Sequence, residues 1–256
     1  MAKDKSKKLA EKFLNDGKSL LHKVCLVFTK LVEKIIAIID KIDPAENTKQ
    51  RVISALVLLP VAIYAICFSQ NLFFLLTIIV TILMTAEWLN LIKNSQDQKK
   101  WSLIGLAYIA IPMYCLIKLR MHDVNILLWM FSIIWVTDIF AFFSGKTFAG
   151  AKLAPNISPN KTWTGLAGGV FASVIIGFLS AFMFRGGIFF FVFFSAFLSI
   201  VEQASDLLES KFKRIFGVKD SGDLIPGHGG ILDRLDGVML VAPAVLFLVT
   251  VFSDKF

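Results

Sequence analysis

The sequence predicts an all-α integral membrane protein: a polytopic bundle of about seven transmembrane helices, preceded by a basic amphipathic N-terminal helix. Three observations carry that expectation. Hydrophobic residues make up 56% of the 256-residue chain and mean hydropathy is +0.72, beyond the roughly 45–50% apolar content of soluble domains. Apolar runs near the ~20 residues that cross a bilayer recur from residue 52 onward. Lys and Arg gather on alternate connections between those runs.

The runs lie near 52–68, 72–92, 101–117, 124–143, 164–184, 188–208 and 238–252. With the N-terminus in the cytoplasm, the leader and the connections 93–100, 144–163 and 209–237 hold 23 Lys and Arg residues. The opposite side holds only Lys118, Arg120, Arg185 and Lys255. That asymmetry obeys the positive-inside rule, so it places the 209–237 connection in the cytoplasm and the C-terminus outside.

Two regions follow: an extension at 1–50 and a transmembrane domain at 51–256. In the extension, Leu21, Val24, Val27, Phe28, Leu31, Ile35, Ile38, Ile39 and Ile42 recur at helical spacing against Lys23, Lys30, Lys34 and Lys41. A basic amphipathic helix on an anionic membrane surface fits this pattern, as does a helix packed on the protein or used in assembly. Asp43-Pro44 breaks it before the first span. The opening residues are mostly Lys and small polar groups, unlike a signal peptide. Cys25, Cys67 and Cys115 are dispersed, which indicates neither a disulfide framework nor a zinc site.

The chemistry concentrates in residues 210–236, a run of charge and glycine in an otherwise apolar chain. Ionisable groups near membrane depth are costly, so they mark a site by default. Here Asp220, Asp223, Asp233 and Asp236 can hold a hard cation, and Lys213, Arg214, Lys219 and Arg234 can hold phosphate oxygens. Glu202, Asp206 and Ser210 follow i, i+4, i+8 spacing, so Asp206 shares a helical face leading into the run. A pair such as Asp206 and Asp233 would make a divalent-metal site with magnesium as its natural occupant. The competing reading is a set of carboxylate–Lys/Arg pairs that only neutralise one another.

Glycines at 227, 229 and 230 allow backbone N–H groups to approach a ligand closely. His228 between them can bond a phosphate, transfer a proton or merely orient the loop. No GxxxxGK[ST] segment is present, which excludes a P-loop. A second polar island, Ser158-Pro159-Asn160-Lys161-Thr162-Trp163, offers donors to phosphate or nucleotide oxygens, or serves as a connector with Trp163 as an interfacial anchor.

These motifs resemble the phosphatidate cytidylyltransferase (CDP-diacylglycerol synthase) family. Ser210, Lys213-Arg214, Lys219-Asp220, His228-Gly229-Gly230 and Asp233-Arg234-Leu235-Asp236 fall at that family's spacing. The 158–163 island resembles its other recurrent motif, Asp138 stands where it places a transmembrane Asp, and Arg51-Val52-Ile53-Ser54-Ala55 resembles the start of members. The resemblance covers roughly 51–256 and leaves out the basic leader. Thr164 stands where members often carry Glu or Gln, and Phe142 where they often carry Tyr.

The resemblance implies transfer of a cytidylyl group from CTP to phosphatidate, giving CDP-diacylglycerol and pyrophosphate in phospholipid biosynthesis. It implies Asp206 and Asp233 as ligands of Mg2+ (with a second cation as a further expectation), Asp236 close by, and His228 among the catalytic groups. Lys213, Arg214, Lys219 and Arg234 would meet phosphates. Ser158, Lys161, Thr162, Ser210, Asp220, Gly229 and Gly230 would complete the substrate contacts. Expected partners are CTP, phosphatidate, the lipid bilayer and a second copy of the chain, with no nucleic acid. The expected location is a bacterial inner membrane. The alternatives are an ion-coupled transporter and a related lipid-phosphate nucleotidyltransferase or polyprenol kinase.

Overall fold

Hydropathy and helix caps account for most of the architecture seen in the computed structural model, which describes residues 60–184, 186–222, 224 and 229–256. One compact unit runs from Val61 to Phe256. Residues 61–68 are helical and belong to the first expected span; the rest of that span, the 50/51 boundary and the basic N-terminal helix lie outside the described residues.

Six described helices are long and apolar enough to cross a membrane. They are α1 (Gln70–Ile92), α2 (Gln98–His122), α3 (Val124–Phe148), α4 (Trp163–Ser180), α5 (Ile188–Ile215) and α6 (Leu232–Val251). They match the second to seventh expected spans. A short 3₁₀ turn, Ser253–Lys255, follows α6.

The starts of three helices are set by side chains that accept the first free backbone N–H groups. Ser69 accepts from Leu72 N at 3.4 Å, Asp123 from Asn125 N at 2.8 Å, and Thr162 from Gly165 N at 3.1 Å. Asp123 alone separates α2 from α3, so these two form a tight antiparallel hairpin. The helices alternate in direction, with α3 against α4, α4 against α5 and α5 against α6, while α2 packs on α6. One end of the bundle therefore gathers the C-terminal ends of α1, α3 and α5 with the N-terminal ends of α2, α4 and α6.

Two boundaries differ from expectation. The connection expected at 209–237 is shorter, because α5 continues to Ile215 and α6 begins at Leu232. At 28 residues, α5 is roughly 42 Å long at 1.5 Å per residue, against a hydrocarbon layer of about 30 Å. Its last turns overhang the apolar layer and carry Ser210, Lys213 and Arg214 as helical residues. The island at 158–163 is not a plain loop either. Lys152–Ala154 (β1) pairs antiparallel with Ser158–Thr162 (β2), a small hairpin added to an otherwise helical fold. Cys115 is buried and Cys67 half-buried, while Cys25 lies outside the described residues.

Candidate active site

Aromatic packing fixes the α5 overhang. Trp88 of α1 and Trp101 and Tyr108 of α2 meet Phe212 at the end of α5 edge-on, and both tryptophans meet Phe216 likewise, with Trp101–Phe216 centroids 5.0 Å apart and Trp88–Phe212 at 5.2 Å. Trp88 Nε1 donates to the Trp101 carbonyl at 2.9 Å. Against this apolar floor the overhang presents two charge clusters.

The first centres on Asp206. Its Oδ2 lies 2.6 Å from Lys161 Nζ at the end of β2, and its Oδ1 accepts from Ser210 Oγ at 3.3 Å. Lys161 also donates to Gln203 Oε1 at 3.1 Å, and Gln203 Nε2 donates to Glu202 Oε2 at 2.9 Å. Glu202 faces Asp138 of α3, and its buried Oε1 has no hydrogen-bond partner. The charges of Asp206, Lys161 and Arg234 all reach Asp138, and those of Asp206 and Asp138 reach Asp236. Four carboxylates thus converge near one lysine, with exposed Arg234 at the edge.

The second cluster centres on Asp233 in the first turn of α6. Lys213 Nζ lies 2.7 Å from Asp233 Oδ1 and 3.1 Å from Glu209 Oε1. Asp233 Oδ2 accepts from Ser221 N and Gly230 N, each at 3.0 Å. The buried Glu209 Oε2 has no hydrogen-bond partner. Asp236, one turn beyond Asp233, bridges the clusters, because its charge is felt by Glu209 and it in turn feels Asp206. Its Oδ1 accepts from Gly237 N at 2.8 Å.

A cavity of about 640 Å³ opens beside the first cluster, lined among others by Asp138, Ser158, Lys161, Thr162, Gln203 and Asp206. That is within the range of pockets that enclose a small-molecule ligand. Asp138, Asp206, Lys161 and Ser158 therefore share one concave surface although they come from α3, α5 and β2.

Other expected site residues have more local partners. Thr162 caps α4, and its hydroxyl also meets that of Thr164, which bonds the Ala149 carbonyl. Arg214 ties the hairpin to the end of α5, donating from Nε to the Ile157 carbonyl at 3.3 Å and from Nη1 to the Val218 carbonyl at 3.2 Å. Lys219 and Asp220 are exposed on the connection after α5. Gly229 adopts φ +84°, which favours glycine, and the Gly230 N–H is engaged by Asp233. His228 and Asp223 lie outside the described residues. The fold places Asp206 and Asp233 in adjacent clusters, each holding its own lysine. Among the described residues no three His, Cys, Asp or Glu side chains are already set as a metal-ligand group.

Sequence reasoning gave no local role to Glu202 beyond its helical face, none to Glu209, and no partner to Glu87. Glu87, in α1, accepts from Ile231 N, Leu232 N and Ser221 Oγ. No nearby residue signals this contact, since its donors lie 134 to 145 positions away.

A polytopic helical bundle that gathers carboxylates, lysines and an open cavity at one end has the make-up of a membrane-embedded phosphate-handling enzyme. Residues 49–119 and 97–252 match the cytidylyltransferase family. The chain is 42% identical over 214 residues to the phosphatidate cytidylyltransferase of Rickettsia felis, covering 79% of this chain and 92% of that one. It is 41% identical to the Rickettsia bellii protein of the same name over 79% and 90%, and 38% identical to that of Brucella abortus biovar 1 over 68% and 63%. The chain belongs to the cytidylyltransferase family.

Proposed function

We propose that the protein transfers the cytidylyl group of CTP to phosphatidate, releasing pyrophosphate and leaving CDP-diacylglycerol in the membrane. The observation that carries this is the Lys161–Asp206 pair on the wall of the 640 Å³ cavity, within a run of motifs matching the family. A phosphate oxygen of the lipid attacks the α-phosphorus of CTP, and the bond to the bridging oxygen of the leaving pyrophosphate breaks. The attacking group is already an anion, so the reaction needs no strong base. Its obstacle is repulsion between two polyanions, which fixed cations and positioning offset. Lys161 and Lys213 are half-buried and anchored by carboxylates, so their charges are oriented before substrate arrives. Arg214, Lys219 and Arg234 are exposed and would add positive charge for the triphosphate.

The carboxylates also fit a divalent cation. They are hard oxygen donors in excess over nearby lysines, and the buried Glu202 Oε1 and Glu209 Oε2 lack partners. Asp206 and Asp233 would hold Mg2+, with Asp236 between them, each now neutralised by a lysine that substrate phosphates can attract away. When bound, the ion supplies charge neutralisation and polarisation at the phosphoryl oxygens. Ser210, hydrogen-bonded to Asp206, orients that carboxylate, and Ser158 offers a hydroxyl on the same cavity wall.

The membrane is a bacterial inner membrane and the site faces the cytoplasm. Support comes from the Lys and Arg asymmetry of 23 against 4 and from the gathering of the described Asp206 and Asp233 clusters at one end of the bundle. Purified protein in phosphatidate-containing vesicles, supplied with labelled CTP, should form labelled lipid; other lipid phosphates offered in parallel should not accept the label. Transfer to a polyprenol, or no turnover at all, would sink the assignment. EDTA should silence the activity and added magnesium restore it, whereas indifference to chelation would remove the cation from the reading. Asp233→Asn should cost on the order of 10³-fold in kcat while the protein stays folded.

A further inference from the structure

Glu87 sits near the C-terminal end of α1 and is 3% exposed. An ionised carboxylate buried among helices costs several kcal/mol unless donors surround it. Here all three donors come from one short stretch: Ser221 Oγ at 3.2 Å, Ile231 N at 2.8 Å and Leu232 N at 2.9 Å. The last two are free N–H groups at the start of α6, whose own preceding residue, Ile231, provides no side-chain cap. A helix N-terminus carries partial positive charge and unpaired donors, so a carboxylate there forms strong, charge-assisted bonds. Glu87 thus caps α6 from a different helix.

The same stretch is gripped from its other side. Asp233 Oδ2 accepts from Ser221 N and Gly230 N. Ser221 and residues 230–232 are thereby held together between two carboxylates. The fit is tight, since a Cβ on Gly230 would lie 2.8 Å from Glu87 Oε2 and press on the Ser221 hydroxyl. An apolar side chain at position 87 would leave the Ser221 hydroxyl and the Ile231 and Leu232 N–H groups without this acceptor. The carboxylate is accounted for by what it holds.

We propose that Glu87 is a positioning residue for the transfer reaction: it clamps Ser221 to the start of α6 and fixes the direction in which Asp233 and Asp236 face the phosphates. This rests on the cytidylyl-transfer reading above. Asp233 follows the capped Leu232 directly, and Asp236 lies one turn further along the same face. Any slip or rotation of the first turn of α6 is passed to both carboxylates. A misplacement of about 1 Å at reacting groups costs on the order of 10²-fold.

The test compares wild type, Glu87→Gln and Ser221→Ala in the same phosphatidate vesicles. Glutamine keeps the shape and one acceptor but turns a donor toward the N–H groups of α6. Glu87→Gln should lower kcat per folded molecule by about 10²-fold with the KM for CTP within about threefold. Ser221→Ala, which removes one bond of three, should lower it about fivefold. Hydrogen exchange should accelerate at the amides of Ile231 and Leu232 in Glu87→Gln, with those of α3 and α4 unchanged. Wild-type kcat per folded molecule in Glu87→Gln would overturn the proposal, whether or not less protein folds, and so would unaltered exchange at 231 and 232. A wild-type protein that transfers nothing would refute the reaction, while the exchange comparison would still decide the clamp.

Discussion

The two ends of the bundle are closed by the same kind of packing and differ in what is added to it. At the end away from the site, Trp129 lies against Phe191 at 5.3 Å, Phe184 stacks on Phe191 at 4.9 Å, and Phe256 joins them. One buried hydrogen bond, Trp129 Nε1 to Ser195 Oγ at 2.9 Å, satisfies the indole there. At the site end, Trp88, Trp101, Tyr108, Phe212 and Phe216 make an equivalent cluster. Only at that end do Glu87, Asp138, Glu202, Asp206, Glu209, Asp233 and Asp236 accompany the aromatic residues. Rings alone suffice to close a helix bundle of this kind, since each aromatic contact adds about 0.5–1.5 kcal/mol beyond burial. Carboxylates are therefore not required to close an end of the bundle, and two of them, Glu202 and Glu209, hold unpartnered buried oxygens, which costs stability.

That contrast is broken most severely at Asp206. Asp206→Asn leaves the shape intact but removes the charge that holds Lys161 at 2.6 Å. Transfer from CTP to lipid should fall about 10³-fold, equivalent to about 4 kcal/mol at 1.36 kcal/mol per decade, with the thermal midpoint within a few degrees of wild type. A variant that unfolds instead, with normal kcat in the surviving fraction, would make Asp206 a structural ion-pair partner and erase the distinction between the two ends.

The same contrast explains what was readable in the sequence. Hydropathy located α1 to α6 because lipid imposes a length and a composition on each span. It failed at the ends of α5 and α6, where charge density imitates a loop while the local residues remain compatible with helix. Glu209, Ser210, Lys213 and Arg214 look like a solvated connection in one dimension, yet they extend a helix anchored by Phe212 and Phe216. The hairpin at Lys152–Thr162 was invisible because Lys-Leu-Ala and Ser-Pro-Asn-Lys-Thr carry no period-two apolar pattern. The i, i+4 relation of Asp206 and Ser210 was legible and is realised as a 3.3 Å hydrogen bond. The lysine facing Asp206, on β2, and the three donors facing Glu87, on the 221–232 stretch, depend on how elements distant in sequence meet, which no local spacing encodes.

The apolar end gives the next largest expected effect, and on stability alone. Trp129→Ala removes a side chain that is 2% exposed and contacts three phenylalanine rings. The loss should be about 3–5 kcal/mol, read as a lower thermal midpoint in vesicles. Because Trp129 lies at the N-terminal end of α3, far along the helix from Asp138, kcat per folded molecule should stay at the wild-type value. A selective loss of kcat would show that the two ends are coupled through α3.

Between the ends lies a smaller polar feature that sharpens the comparison. Thr137 Oγ1 meets Ser173 Oγ at 2.8 Å and Ser199 Oγ at 3.0 Å, joining α3, α4 and α5 in the buried interior. Such hydroxyl contacts between membrane helices average only about 0.6 kcal/mol, because the separated helices also find partners. Ser199→Ala leaves the Thr137–Ser173 bond in place, so its cost should be about that size and its effect on transfer nil. Ser199 stands on α5 one turn before Glu202 and Gln203, within reach of the Asp206 cluster through the helix backbone. If Ser199→Ala lowers kcat several-fold at an unchanged midpoint, the hydroxyl triad sets the pitch of α5 into the site and belongs with the charged end; if only the midpoint moves, it is packing of the same kind as the aromatic end.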